Sequence, residues 1–274
     1  MNCACRKDHE QEKVQDILSK VKCFILDLDG TIYLGGKLLD GAIDFLQTLE
    51  RNGIAFKFFT NNSSKNAKFY INKIHDMGYD AKDNAMLISN HVIIRHLQET
   101  MPDKKVFLLG NEYLKGDFKD SNINLVEEDP DVVVVGFDTT LVYENVSKAC
   151  KFIRNGAIFL GIHPDFNCPT EDGFIPDCGS ICAMITASTG VWPEYFGKPT
   201  IHTLQYILTT TGFQEEEIAV VGDRLYTDIA IGKGNNLVTI LVLSGETKLK
   251  DLQKSEIQPT LIFDSLKELR TYLA

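Results

Sequence analysis

Two carboxylates lie two residues apart, at Asp27 and Asp29, where the apolar run CFILDL at residues 23–28 ends. Side chains two residues apart in an extended chain point to the same side, so both acids could face one ligand. Ligands of open parallel sheets bind beyond the carboxyl ends of the strands, and Gly30 permits a sharp turn there. Taken alone, the pattern also fits two acids that simply end a strand and begin a turn.

A second pair of acids, Asp223 and Asp228, follows another apolar run at residues 218–222. Acids gathered at neighbouring strand ends repel one another unless a cation compensates them. Carboxylate oxygens favour a hard ion, and Mg²⁺ that keeps some of its waters is the usual partner of phosphates. A calcium-binding loop is excluded, because Ile32 and Leu38 replace the glycine and the glutamate that such a loop requires.

Groups that could bind an oxyanion follow two further segments. Thr60 and Asn61 come directly after the apolar run at 54–59 and precede a helical pattern at 64–77. Backbone N–H groups and side-chain donors at a helix N-terminus bind anions, although a helix cap of Ser and Asn has the same composition. Lys198, in a Gly-Lys-Pro segment, is either a surface charge or a buried partner of anionic oxygens.

The elements that must position these residues alternate along the chain. Eight near-continuous apolar runs predict strands buried on both faces: 23–28, 54–59, 106–109, 132–136, 157–162, 218–222, 238–243 and 260–263. Helical periodicity occupies seven segments between them: 41–52, 64–77, 90–100, 144–155, 180–189, 200–211 and 266–273. This alternation predicts an α/β architecture built on parallel sheets, with enough strands for two of them.

Composition limits the partners. The 274 residues are 44% hydrophobic, which is ample for a packed core. The formal charge of −10 opposes docking onto a nucleic acid backbone. The first 20 residues lack the apolar core of a signal peptide, and no stretch reaches the length of a membrane span. We therefore expect a cytoplasmic protein that binds neither nucleic acid nor membranes.

The order of the motifs resembles the haloacid dehalogenase-like superfamily of phosphohydrolases. The resemblance rests on DLDGT at 27–31, TNN at 60–62, Lys198, and Gly222-Asp223 with Asp228 five residues on. Within that superfamily, these motifs are similar to those of the branch that contains p-nitrophenyl phosphatases and sugar, nucleotide and pyridoxal phosphate phosphatases. The resemblance implies a doubly wound, Rossmann-like parallel-sheet core at residues 1–83 and 193–274. An α/β cap domain would be inserted at 84–192, since the distance from Asn61 to Lys198 is too long for one loop.

The resemblance also implies a mechanism. Asp27 would attack the phosphorus of a small phosphorylated metabolite and form an aspartyl phosphate, while Asp29 would act as general acid and base. Thr60, the N–H of Asn61 and Lys198 would bind the phosphoryl oxygens. The magnesium ligands would be Asp27, the backbone carbonyl of Asp29, Asp223 and Asp228, the last either directly or through water.

Two loops of the expected cap resemble the substrate-facing loops of this branch. They contribute His163, Asp165 and Ser180 as candidate specificity residues. Relatives commonly have Asn before Pro164 where this chain has His163, which leaves substrate choice open. A packed loop histidine that has no contact with substrate is at least as compatible with the sequence.

Other readings remain. The same motifs would serve a phosphotransferase that passes the phosphoryl group to an acceptor other than water. A non-catalytic receiver-like module also places Asp, Thr and Lys at strand ends, but it has about half this length and no need of Asp223 with Asp228. The physiological ester is undetermined, and the sequence is compatible with a homodimer.

Overall fold

The computed structural model describes residues 3–170 and 172–273. The strands of this part are short and mostly apolar. They are β1 (Cys23–Leu26), β2 (Tyr33–Leu34), β3 (Lys37–Leu38), β4 (Ala55–Thr60), β5 (Met86–Ile88), β6 (Val106–Leu109), β7 (Val132–Val135), β8 (Ile158–Gly161), β9 (Asn167–Thr170), β10 (Gly173–Pro176), β11 (Glu194–Tyr195), β12 (Ile218–Gly222), β13 (Val238–Val242) and β14 (Leu261–Phe263).

The helices are interleaved with the strands. They are α1 (Cys3–Ser19), α2 (Ala42–Arg51), α3 (Ala67–Asp76), α4 (Ser89–Thr100), α5 (Glu112–Asp120), α6 (Tyr143–Arg154), α7 (Cys178–Thr189), α8 (Ile201–Thr211), α9 (Leu249–Leu252) and α10 (Leu266–Arg270). None of the helices in the described ranges is both long enough and apolar enough to cross a membrane.

The chain divides into two compact units. The first comprises the chain up to Phe59, residues Ile74–Ala85 and the chain from Leu204 onward. The second comprises Thr60–Lys73 and Met86–Thr203. These divisions differ from the cap boundaries predicted at residues 84 and 192, which remain a prediction.

The first unit is built on a parallel sheet with the strand order β14-β13-β12-β1-β4. At its centre, Leu26 of β1 pairs with Val221 of β12 on one side and with Phe58 of β4 on the other. β1 and β12 are buried along their whole length, as continuous apolar runs predict. Helices cover the sheet through apolar faces spaced at helical intervals, as in α2, whose Phe45 and Leu49 are fully buried.

The second unit has its own parallel sheet, ordered β11-β8-β7-β6. Its central strand β7 consists of four fully buried valines. An antiparallel hairpin of β9 and β10 follows β8, and it leads directly into α7. Asp177 caps α7, because its Oδ1 accepts a hydrogen bond of 2.6 Å from the N–H of Cys178.

Parallel sheets with interleaved helices confirm the predicted α/β class. All eight apolar runs contain strands, and all seven periodic segments contain helices. The sequence interpretation missed the short strands, the exposed hairpin and three helices: β2, β3, β5, β9, β10, β11, α1, α5 and α9.

Candidate active site

The ends of two adjacent parallel strands bring three of the predicted acids together in the first unit. Asp27 follows β1, Asp223 follows β12, and Asp228 lies in a π-helical turn at Leu225–Ile229. One carboxylate oxygen from each residue lies within 4.8 Å of the other two, and all three residues are buried. The pairing of β1 with β12 explains this arrangement, since the N–H of Asp27 donates to the Val221 carbonyl at 2.9 Å.

Backbone groups orient two of these carboxylates. The Oδ2 of Asp223 accepts from the N–H of Glu246 at 2.6 Å, and the Oδ2 of Asp228 accepts from the N–H of Arg224 at 3.2 Å. The Oδ1 of Asp223 is buried and has no hydrogen-bond partner among the described residues. A buried carboxylate oxygen that lacks a donor is costly, and a cation is one group that would satisfy it.

The pKa of Asp223 also indicates that this group of acids would bind a cation. Burial, followed by the charge of Asp228, raises the pKa of Asp223 to about 7, although Arg224 and the N–H of Glu246 act against this rise. Ionisation of Asp223 at neutral pH is therefore unfavourable unless a cation compensates its charge. The clustered oxygen donors and the bare Asp223 oxygen fit a hard divalent ion such as Mg²⁺.

Glycines make room for the acids. Gly30 has φ of 87°, a conformation that other residues rarely adopt, and a Cβ there would overlap the Asp223 carboxylate. A Cβ at Gly245 would overlap the same carboxylate. Gly30 was expected to allow the sharp exit from β1, whereas Gly245 was not singled out from the sequence. The sequence could have indicated Gly245 by its position, because it lies in the SGE segment after β13, at the end of another strand.

Asp29 lies on the turn that follows Asp27 and is half-buried. The N–H of Gly30 donates to the Tyr33 carbonyl at 2.7 Å, which fixes this turn. The carboxylate of Asp29 is not one of the three grouped oxygens. Both expected roles of Asp29, as general acid and base and as a metal ligand through its backbone carbonyl, remain predictions.

The other predicted core residues belong to the second unit. Thr60, Asn61 and Lys198 are all buried, and Lys198 is only 2% exposed, so it is not a solvated surface lysine. The side chain of Asn61 makes a reciprocal pair with the backbone of Lys198: the Lys198 N–H donates to Oδ1 at 2.8 Å, and Nδ2 donates to the Lys198 carbonyl at 2.9 Å. The sequence predicted only the N–H of Asn61 as functional and missed its side chain.

The candidate specificity residues are placed in the same unit. His163 and Asp165 are buried next to Asp177, and one ligand atom from each lies within 4.8 Å of the others. Ser180 is half-buried in the first turn of α7, and its hydroxyl donates to the Phe166 carbonyl at 2.6 Å. His163 is completely buried, and its expected role in substrate specificity remains a prediction.

Comparisons with known proteins match the chain along most of its length. The family model of the haloacid dehalogenase-like hydrolases matches residues 24–124, and a second, HAD-hydrolase-like model matches residues 195–269. An acid sugar phosphatase of Staphylococcus epidermidis is 35% identical over 89% of this chain and 95% of its own. A 5'-nucleotidase of Bacillus subtilis, YutF, is 32% identical over 92% of this chain and 98% of its own.

Solved structures agree with the fold. The crystal structure of a 4-nitrophenylphosphatase from Thermotoga maritima superposes with a TM-score of 0.91 at 44% identity. The match covers 94% of this chain and 99% of that one. The similarity therefore extends over both compact units.

Proposed function

The chain belongs to the haloacid dehalogenase-like hydrolases, and from that premise we propose that it is a magnesium-dependent phosphatase of small phosphate monoesters that acts through an aspartyl phosphate on Asp27. The observation that carries the proposal is the group of three buried carboxylates at the ends of β1 and β12, with one Asp223 oxygen bare among the described residues. The relatives named as phosphatases and as a nucleotidase support the substrate class.

The proposed chemistry divides between the two acids of the DLDGT segment. A phosphate monoester resists attack because its negative oxygens repel nucleophiles, so catalysis depends on positioning and charge neutralisation. Asp27 would attack phosphorus while Asp29 protonates the leaving alkoxide, and Asp29 would then take a proton from the water that cleaves the intermediate. The leaving group departs as an alcohol. Attack of water then breaks the bond between phosphorus and the Asp27 oxygen and releases phosphate.

The remaining residues would hold the ion and the phosphoryl group. Asp27, Asp223, Asp228 and the backbone carbonyl of Asp29 would bind Mg²⁺, which supplies positive charge against the phosphoryl oxygens. Thr60, the N–H of Asn61 and the ammonium of Lys198 would bind those oxygens as charge develops on them. We also propose that residues 84–192 form the cap that selects the leaving group, and that the enzyme is cytoplasmic.

The test is a screen of phosphate release from p-nitrophenyl phosphate, sugar phosphates, nucleoside monophosphates and pyridoxal phosphate. Wild-type protein should release phosphate in the presence of Mg²⁺, and this release should stop when EDTA removes the ion. Asp27→Asn should lose at least about 1,000-fold in kcat, since an amide cannot form the covalent intermediate. The matched control is Asp117→Asn on α5, a partly buried aspartate that accepts from the side chain of Asn90. This variant should remain active.

Three results would contradict the proposal. The first is an Asp27→Asn variant as active as wild type. The second is turnover that requires an added acceptor, which would indicate a phosphotransferase. The third is a stable phosphoprotein without turnover, which would indicate a receiver-like module.

A further inference from the structure

A buried histidine lies between two buried carboxylates in the second unit. The side chain of His163 is 0% exposed. Its Nδ1 lies 3.7 Å from Oδ2 of Asp165, and its Nε2 lies 3.4 Å from Oδ1 of Asp177. Both distances are longer than those of ordinary hydrogen bonds. The imidazole therefore lies between the two acids, with one ring nitrogen facing each carboxylate.

The side of the ring that carries Nε2 is anchored to fixed elements. Nε2 lies 3.1 Å from the hydroxyl of Ser63, and that oxygen accepts from the N–H of Phe137 at 2.8 Å. Asp177 is the cap of α7. The chain also approaches closely from another side, because a Cβ on Gly197 would overlap the Cβ of His163. These contacts fix the ring and leave Nδ1 directed to Asp165.

Asp165 connects the ring to the segment that carries Lys198. Both of its carboxylate oxygens lie 3.3 Å from Nδ2 of Asn61. The same amide also binds the backbone of Lys198, because Oδ1 accepts from its N–H and Nδ2 donates to its carbonyl. The three contacts define the side-chain orientation of Asn61, because only an amide with Nδ2 towards Asp165 satisfies all of them.

We propose that His163 is a positioning residue for Lys198, and that it acts through Asp165 and Asn61. The ring positions Asp165, Asp165 orients the Asn61 amide, and the amide fixes the backbone of Lys198, from which the ammonium extends. The inference rests on the proposed function, in which Lys198 binds the transferring phosphoryl group. Misplacement of such a group by about 1 Å can cost on the order of a hundredfold in rate.

Three substitutions separate the two ring nitrogens. In His163→Asn the side-chain amide nitrogen takes the place of Nδ1 and still faces Asp165. In His163→Gln it takes the place of Nε2 and faces Ser63 and Asp177 instead. His163→Leu removes both. We expect the Leu and Gln variants to lose about tenfold or more in kcat with a smaller change in KM, and the Asn variant to stay within about threefold of wild type.

Amide hydrogen exchange at the backbone N–H of Lys198, measured by NMR, is a readout that does not depend on catalysis. This N–H donates to Asn61, so a disoriented amide should expose it. Exchange should accelerate about fivefold or more in His163→Leu and His163→Gln, but not in His163→Asn. The control is His91→Leu on α4, a histidine of the same unit that is not one of the connecting residues, and it should leave this exchange rate unchanged.

A double-mutant cycle tests whether His163 acts on Lys198 through Asn61. In Asn61→Ala the acceptor of the Lys198 N–H is absent, so exchange should already be fast. Adding His163→Leu should then change it no further. Independent effects of the two substitutions would show that His163 does not act through Asn61.

The outcomes of this experiment are distinct from those that test the proposed function. Unchanged Lys198 exchange in the Leu and Gln variants, or equal effects of Asn and Gln, overturns the role of His163 whether or not activity falls. If wild type releases no phosphate, the proposed function fails while the exchange comparison still decides the connection. If His163→Leu does not fold, the Asn and Gln variants provide the same comparison.

Discussion

At the scale of single residues, Asp223 is the acid whose protonation reports most directly on the proposed metal site. Burial and the neighbouring Asp228 raise its pKa from 3.8 to about 7 when no cation is present. A proton and a divalent ion would therefore compete for this carboxylate in the neutral range. Metal affinity should fall as pH drops below about 7.

The stability of the metal-free protein should depend on pH with a defined sign. Because the folded state binds this proton more tightly than the unfolded state, the free energy of unfolding in EDTA should fall as pH rises from 3.8 to about 7. Excess Mg²⁺ should offset that loss at pH 8. Urea unfolding across this range, in EDTA and in Mg²⁺, measures both effects.

In Asp223→Asn the side chain at position 223 cannot titrate. The free energy of unfolding of this variant should therefore lose this component of its pH dependence and its increase in Mg²⁺. The exposed Asp120→Asn on α5 is the control and should behave as wild type. An Asp223→Asn variant with the wild-type pH dependence and the wild-type response to Mg²⁺ would contradict the assignment.

At the scale of elements, the first turn of α7 packs directly on the loop that carries Asp165. The N–H of Gly179 donates to the Asp165 carbonyl at 2.8 Å, and a Cβ on Gly179 would overlap the carbonyl oxygen of Pro164. This close approach explains a glycine inside a helix, where its backbone entropy is normally unfavourable. The helix and the loop are thus held together through backbone groups.

Two glycine-to-alanine substitutions test that packing. Gly179→Ala should destabilise the protein by about 1–3 kcal/mol, because the carbonyl of Pro164 cannot give way without moving the loop. Gly116→Ala, in α5, should stabilise it by about 0.5–1 kcal/mol, since no atom lies within 4 Å of the added Cβ. Urea unfolding of both variants gives the comparison. Stabilisation by Gly179→Ala would show that α7 does not pack as described.

The sequence was sufficient to predict the central strands, but not the short strands, the hairpin or the long-range contacts. Continuous apolar runs located the central strands, because burial on both faces requires them, and the acids after β1 and β12 were found with them. Two-residue strands such as β11 carry too few residues for a pattern, and the hairpin of β9 and β10 is largely exposed. The contact of Asn61 with Asp165 was beyond prediction, since it joins residues 104 positions apart without any local signal.

At the scale of the whole molecule, the chain forms two units, each with its own parallel sheet, and passes between them at Phe59, Lys73, Ala85 and Thr203. Asp27 and Asp223 belong to the first unit, and Thr60 and Lys198 belong to the second. Each unit packs its own core. The function is assigned to the full chain rather than to either unit.

The central claim is a covalent phosphoenzyme on Asp27, and trapping it tests the whole account. The enzyme is mixed with p-nitrophenyl phosphate and Mg²⁺, quenched during turnover and treated with borohydride, which reduces an acyl phosphate to an alcohol. Mass spectrometry should find homoserine at position 27 in wild type, and none there in EDTA or in Asp27→Asn. Release of phosphate with no reduction at position 27, or reduction at a different acid, would contradict the account.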